Sequence, residues 1–146
     1  MLGSTLGAYE RGAMANELNH IIVHCRDRRA SARFLSELMD AEAPIDWGPF
    51  TQVNSANGVG IDFLDSMIAP DAINRSHLAF LVTDGEFDAI FQRIQERSIR
   101  YWADPMCTIE GKINHHYGGR GVYVFDPGNT IAIEFITRPY GDVSAV

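Results

Sequence analysis

The stretch Leu18–Phe34, LNHIIVHCRDRRASARF, recurs 57 positions further on as Arg75–Phe91, RSHLAFLVTDGEFDAIF. His20 falls on His77, Asp27 on Asp84, Ala32 on Ala89 and Phe34 on Phe91. The pairs Ile21/Leu78 and Val23/Phe80 match in kind. Each copy reads as a short apolar strand, an Asp-bearing turn and a helix whose apolar face carries Phe. Repetition at a fixed spacing decides a fold more firmly than any local signal. Here it also sets two imidazoles at equivalent places.

Within the first copy, Leu18–His24 is a strand, and Asp27 is the N-cap of a helix running to Met39. Ala30, Phe34 and Leu38 stack along that helix, with Ser31 and Leu35 beside them. Pro44 and Gly48-Pro49 break the next stretch into extended pieces. Asn57-Gly58 is a strong hairpin signal joining Phe50–Ser55 to Val59–Leu64. Module one, residues 18–65, therefore reads β-α-β-β-β. After a polar connector, module two spans residues 76–137. Its strand is His77–Val82, and Thr83 with Glu86 forms a capping box. The helix Glu86–Arg97 carries Phe87, Ile90, Phe91 and Ile94 on one face. Further strands lie at Ile99–Trp102, Gly121–Phe125 and Thr130–Ile136, the last two around the turn Asp126-Pro127-Gly128-Asn129. The fold class is α+β, two tandem βαβββ modules forming a cupped, pseudo-symmetric mixed sheet.

One domain over residues 17–140 suits a chain of 146 residues. Residues 1–16 read as a flexible tail without the pattern of a secretory signal, and residues 141–146 as a second tail. A formal net charge of −7 argues against nucleic-acid binding. No apolar run is long enough to span a bilayer. Cys25 and Cys107 have no zinc spacing and read as reduced thiols of a cytoplasmic protein.

Strand parity singles out the chemistry. Ala132, Glu134 and Ile136 share one face of their strand, so Glu134 sits inside an apolar run, where a carboxylate is costly unless paired or metal-bound. Asp62, between Ile61 and Phe63, holds the matching place in module one. Each module thus offers a His on its first strand and an acid on its last. Either His alone reads as readily as a hydrogen-bonded core or rim residue, and Glu134 alone as an ion-pair partner. The doubled pattern of His20, Asp62, His77 and Glu134 points instead to a divalent metal, with Fe, Mn, Zn, Ni and Co all compatible.

These motifs resemble the vicinal oxygen chelate superfamily, which includes glyoxalases, extradiol dioxygenases and bleomycin resistance proteins. Leu18–Val23 looks like its opening strand, Phe34–Met39 like its first helix end, and Ser76–Val82 like its fifth strand. Gly121–Asn129 with Ile133-Glu134-Phe135 looks like its closing hairpin. The resemblance implies metal ligands at His20, His77 and Glu134. Asp62 falls where glyoxalase-like members carry a Glu as fourth ligand. The implied function is a small metal-dependent enzyme binding vicinal oxygens of a small substrate. The alternative is a metal-free protein that sequesters an antibiotic or other small molecule.

The loop Asp104–Gly119 has no counterpart in module one and holds His115, His116 and Tyr117. Long loops in compact domains are often functional. His115, His116 and Tyr123 are candidate proton donors or acceptors beside Glu134; the plainer alternative for the loop is a solvated surface. Trp47, Phe50, Tyr101 and Trp102 either line the cup or pack in the core. Open sheet edges predict a homodimer.

Overall fold

The computed structural model describes residues 16–141. The tails expected at 1–16 and 141–146 lie outside these residues, apart from Asn16 and Gly141. Module one comprises β1 (His20–His24), α1 (Arg28–Met39), β2 (Ile45–Trp47), β3 (Phe50–Asn54) and β4 (Gly60–Leu64). Module two comprises β5 (Ser76–Leu81), α2 (Asp84–Glu96), β6 (Gly121–Phe125) and β7 (Ile131–Ile136). Short 3-10 turns sit at Pro70–Ala72 and His116–Gly118. Among the described residues no helix is long and apolar enough to cross a membrane.

The first sheet has the order β1-β4-β3-β2 and the second β5-β7-β6. In each, the opening strand pairs in parallel with the closing strand and lies at a sheet edge. The repeat is kept in the register. Ile22 lies beside Asp62 in one sheet, and Ala79 beside Glu134 in the other. Each acid therefore neighbours the residue two beyond the module's His, on the same sheet face.

Local chemistry explains both helices. The Asp27 carboxylate accepts from the backbone N–H groups of Arg29 (3.1 Å) and Ala30 (3.0 Å), and Asp40 closes α1 in the left-handed region at φ 54°. At α2, Thr83 and Glu86 cap each other reciprocally, at 3.2 and 2.8 Å. The stripe that α1 buries differs from the expected one: Ser31, Ala32, Leu35, Ser36 and Leu38 are buried, and Phe34 only half-buried. Small residues lead because this helix packs against β3, β4 and α2 together, and close approach from several sides excludes bulk.

The expected strand Ile99–Trp102 is a correction. Only Trp102 pairs, through single bridges to Tyr123 and Glu110. The cause is Asp104, whose carboxylate accepts from Thr108 N–H, Thr108 Oγ1 and Ile109 N–H. This Asx-type turn folds the loop back, so Ala103 N–H bonds to Ile109 and Gly111 N–H to Tyr101. Backbone groups that would have laddered onto β6 are satisfied inside the loop.

One apolar core runs through both modules, from Val23, Leu35 and Phe63 to Phe87, Ile133 and Phe135. A buried carboxylate fastens them. Asp126 accepts from Ser31 Oγ of α1 (2.6 Å), from the N–H groups of Thr130 and Ile131 (2.8 Å each) and from Thr130 Oγ1 (3.2 Å). Hydrogen bonds to a charged group are worth about 1.5–3 kcal/mol each, net. We expect Asp126→Asn to lower unfolding free energy by about 2 kcal/mol in urea titration, because the amide brings donors to a position surrounded by donors.

Candidate metal centre

The cup face of the second sheet is set by β7. Glu134 is only 1% exposed, between Ile133 and Phe135, which turn to the core. Its Oε2 lies 2.9 Å from His77 Nε2, across the parallel pair β5–β7. Its Oε1 accepts from the Tyr140 hydroxyl. Tyr140 in turn lies 2.8 Å from the Tyr123 hydroxyl. Tyr123 is directly opposite Glu134 on β6, and its ring meets His77 edge-on at 5.9 Å. Burial, then the hydrogen bond to Tyr140, pushes the Tyr123 phenol well above its ordinary range. Burial and the bond to Glu134 push Tyr140 the same way. Both are hydrogen-bond donors at neutral pH rather than bases.

The matching face of the first sheet is arranged otherwise. Asp62 is as buried as Glu134, but it is one methylene shorter and is taken by Gln52, whose Nε2 donates to Oδ1 at 2.6 Å. Gln52 faces Asp62 across β3–β4, as Tyr123 faces Glu134. His20 turns to its neighbour Asn19, Nδ1 to Oδ1 at 2.8 Å. These residues, with Trp47 and Asn54, line an open cavity of about 310 Å³. Gly60 leaves the room they use: a Cβ on it would stand 2.8 Å from Gln52 Nε2 and 3.3 Å from Cβ of His20.

Of the four expected ligands, the structure brings together two, His77 and Glu134. His20 and Asp62 stand in the other sheet. Among the described residues no group of three or more His, Cys, Asp and Glu gathers in one chain. His24 shares the His20 face of β1, and its Nδ1 is buried without a hydrogen bond. His115 and His116 are exposed and are not among the partners of His77 or Glu134. Their loop does approach the site, because the Tyr117 ring lies 5.7 Å from that of Tyr140. Trp47 stacks on Phe50 at 4.8 Å beside the cavity, whereas Trp102 packs on Phe125 and Tyr101 on Phe91.

Sequence reasoning missed Tyr140 and Gln52. Tyr140 lies beyond the repeat, and its only signal is Pro139, which fixes the chain's direction past β7. Gln52 was hidden by the turn: a two-residue Asn57-Gly58 turn would set Val53 opposite Asp62, whereas Ser55 pairs with Val59 across a three-residue loop and Gln52 takes that place.

No protein-family model matches this chain, and no curated protein does. Solved structures do. Oxidase ChaP-H1 is 50% identical over 87% of this chain and 99% of its own, with a TM-score of 0.80. Oxidase ChaP-H2 is 48% identical over 88% and 98%, also at 0.80. A mutant of the fosfomycin resistance protein FosX from Listeria monocytogenes, solved with Mn(II) and a dihydroxypropylphosphonic acid, is 20% identical over 87% and 94%, at 0.61. The chain belongs to the vicinal oxygen chelate superfamily. Its paired modules are the fold of that superfamily, and His77 with Glu134 lies on the open face of its second module.

The two cysteines stand apart from this chemistry. Cys25 is buried, which pushes its thiol up to about 12, with Asp126 adding to the rise. A raised thiol pKa keeps the unreactive protonated form across neutral pH. With Ellman's reagent near pH 8 we expect one fast thiol per folded chain, Cys107, and the second only after unfolding.

Proposed function

We propose that this protein is a metal-dependent enzyme acting on a small oxygenated substrate. It would work as a homodimer in which His77 and Glu134 of one copy are joined by His20 of the other. The observation that carries the reading is the His77–Glu134 contact at 2.9 Å on an open sheet face, with a repeat-equivalent His20 exposed at the edge of the other sheet. An imidazole nitrogen beside a carboxylate oxygen is a donor set for Mn, Fe, Co, Ni or Zn. Two donors in one chain are too few for a stable site, and a second copy would supply the third. The edges support this. Ile22 is 46% and Leu81 61% exposed, both on the faces that carry His20 and His77, and unpaired edges of this kind call for cover. The name oxidase, borne by the two relatives of about half-identical sequence, favours an oxidation of the bound substrate.

A divalent ion held by these residues would supply Lewis acidity toward two neighbouring substrate oxygens and, as Fe(II), access to oxygen chemistry. The chain's own residues do the rest. His77 Nε2 and Glu134 Oε2, 2.9 Å apart, would both turn to the ion. Tyr123 and Tyr140 donate hydrogen bonds along the row that ends on Glu134. The cavity of His20, Asn19, Gln52 and Asp62 orients the polar part of the substrate, with Trp47 and Phe50 flanking it. Asp62, held by Gln52, is in this reading an acid or orienting group of the cavity more than a fourth ligand. His115 and His116, on the loop whose Tyr117 meets Tyr140, would exchange protons with solvent.

Protein stripped with chelator and titrated with Mn(II) should bind one ion per chain, and either His20→Ala or His77→Ala should abolish uptake. Mixing the two variants after mild dissociation should restore one site in each mixed dimer, since one pairing again has all three donors. No uptake by the wild type would sink the metal reading. Wild-type uptake without complementation would sink the shared site.

A further inference from the structure

The carboxylate of Glu134 has two inequivalent oxygens, and a residue beyond the last strand distinguishes them. Tyr140 stands four positions after the end of β7. The chain between is pinned: Thr137 N–H donates to the Arg120 carbonyl (3.0 Å), Arg120 N–H donates to Thr137 Oγ1 (2.8 Å), and Pro139 restricts the next turn. This brings the Tyr140 phenol back over Glu134. The Tyr140 hydroxyl donates to Oε1, and its oxygen is left to accept from Tyr123. The donor direction is fixed along the whole row, from Tyr123 through Tyr140 to Glu134. Only Oε2 then faces His77.

We propose that Tyr140 is a positioning residue: by holding Oε1 of Glu134 it fixes the carboxylate so that a single oxygen, Oε2, is presented beside His77 Nε2. This rests on the cation-binding reading of the same pair. Module one, which has no such tyrosine behind its acid, provides the contrast. There Gln52 binds Asp62, His20 turns to Asn19, and the acid and the imidazole have different partners. Partners that hold a ligating carboxylate from behind commonly affect metal affinity by about 10–100-fold.

The test compares wild type, Tyr140→Phe and Tyr123→Phe, each stripped and titrated with Mn(II) for affinity and with Co(II) for its visible spectrum. Tyr140→Phe removes the hydroxyl and keeps the ring that meets Tyr117, and Tyr123→Phe releases the row from its other end. We expect Tyr140→Phe to weaken Mn(II) binding by about 10–100-fold and to change the Co(II) spectrum, as the carboxylate gains freedom to turn. Tyr123→Phe should act in the same direction but less. Wild-type uptake with an unchanged affinity and spectrum in Tyr140→Phe would overturn the inference alone. A wild type that takes up neither ion would overturn the cation reading and this inference with it.

Discussion

Everything above the level of single elements depends on one buried carboxylate. Asp126 receives a hydroxyl from α1 and three donors from the turn between β6 and β7. A charge 3% exposed is tolerable only when it is satisfied in this way. Arg26 adds a second tie, from its Nε to the Gly128 carbonyl at 3.1 Å. Together they set module one's helix against module two's hairpin, so the apolar core closes between the modules. The opening strands, β1 and β5, are left at sheet edges with their His-bearing faces open.

The two modules show how side-chain length divides a symmetric fold into unlike halves. Their registers agree residue for residue around the acids. Yet Glu134 reaches its module's imidazole, and Asp62 does not. Across the hairpin the difference is compounded. An amide donor opposite Asp62 binds it directly, whereas the phenol opposite Glu134 is bonded to Tyr140, which donates to the carboxylate. One half becomes a pair of metal-type donors with a row of hydrogen bonds behind it. The other becomes a polar cavity with an exposed histidine at its mouth.

Much of this was legible in the chain. The 57-residue repeat, both helix N-caps, the faces of β1, β5 and β7 and the burial of Asp62 and Glu134 all come from periodicity and local chemistry. These are short-range signals, and nothing tertiary opposes them. The misses have physical causes of longer range. Ile99–Trp102 has the pattern of a strand, but Asp104 captures the adjoining backbone and turns it away. The buried stripe of α1 rotates because two sheet strands and a helix press on it at once. Parity places His20 and His77 on equivalent faces, but it carries no information on whether those faces meet within a chain. Tyr140 belongs to neither copy of the repeat, so no comparison of the copies could reveal it.

Gly60 has a consequence of its own. The bare backbone at that position is what lets the Gln52 amide and the stem of His20 occupy the space above β4. Two large side chains thus owe their places to an atom that is missing between them. A Cβ at position 60 would press on both at once, shifting the Gln52 amide at its end and asking the His20 stem to give by a few tenths of an ångström. Positions 20, 52 and 60 therefore form a single unit of variation. Among descendants of this chain they should change together or stay fixed together, although no two of them are adjacent in sequence.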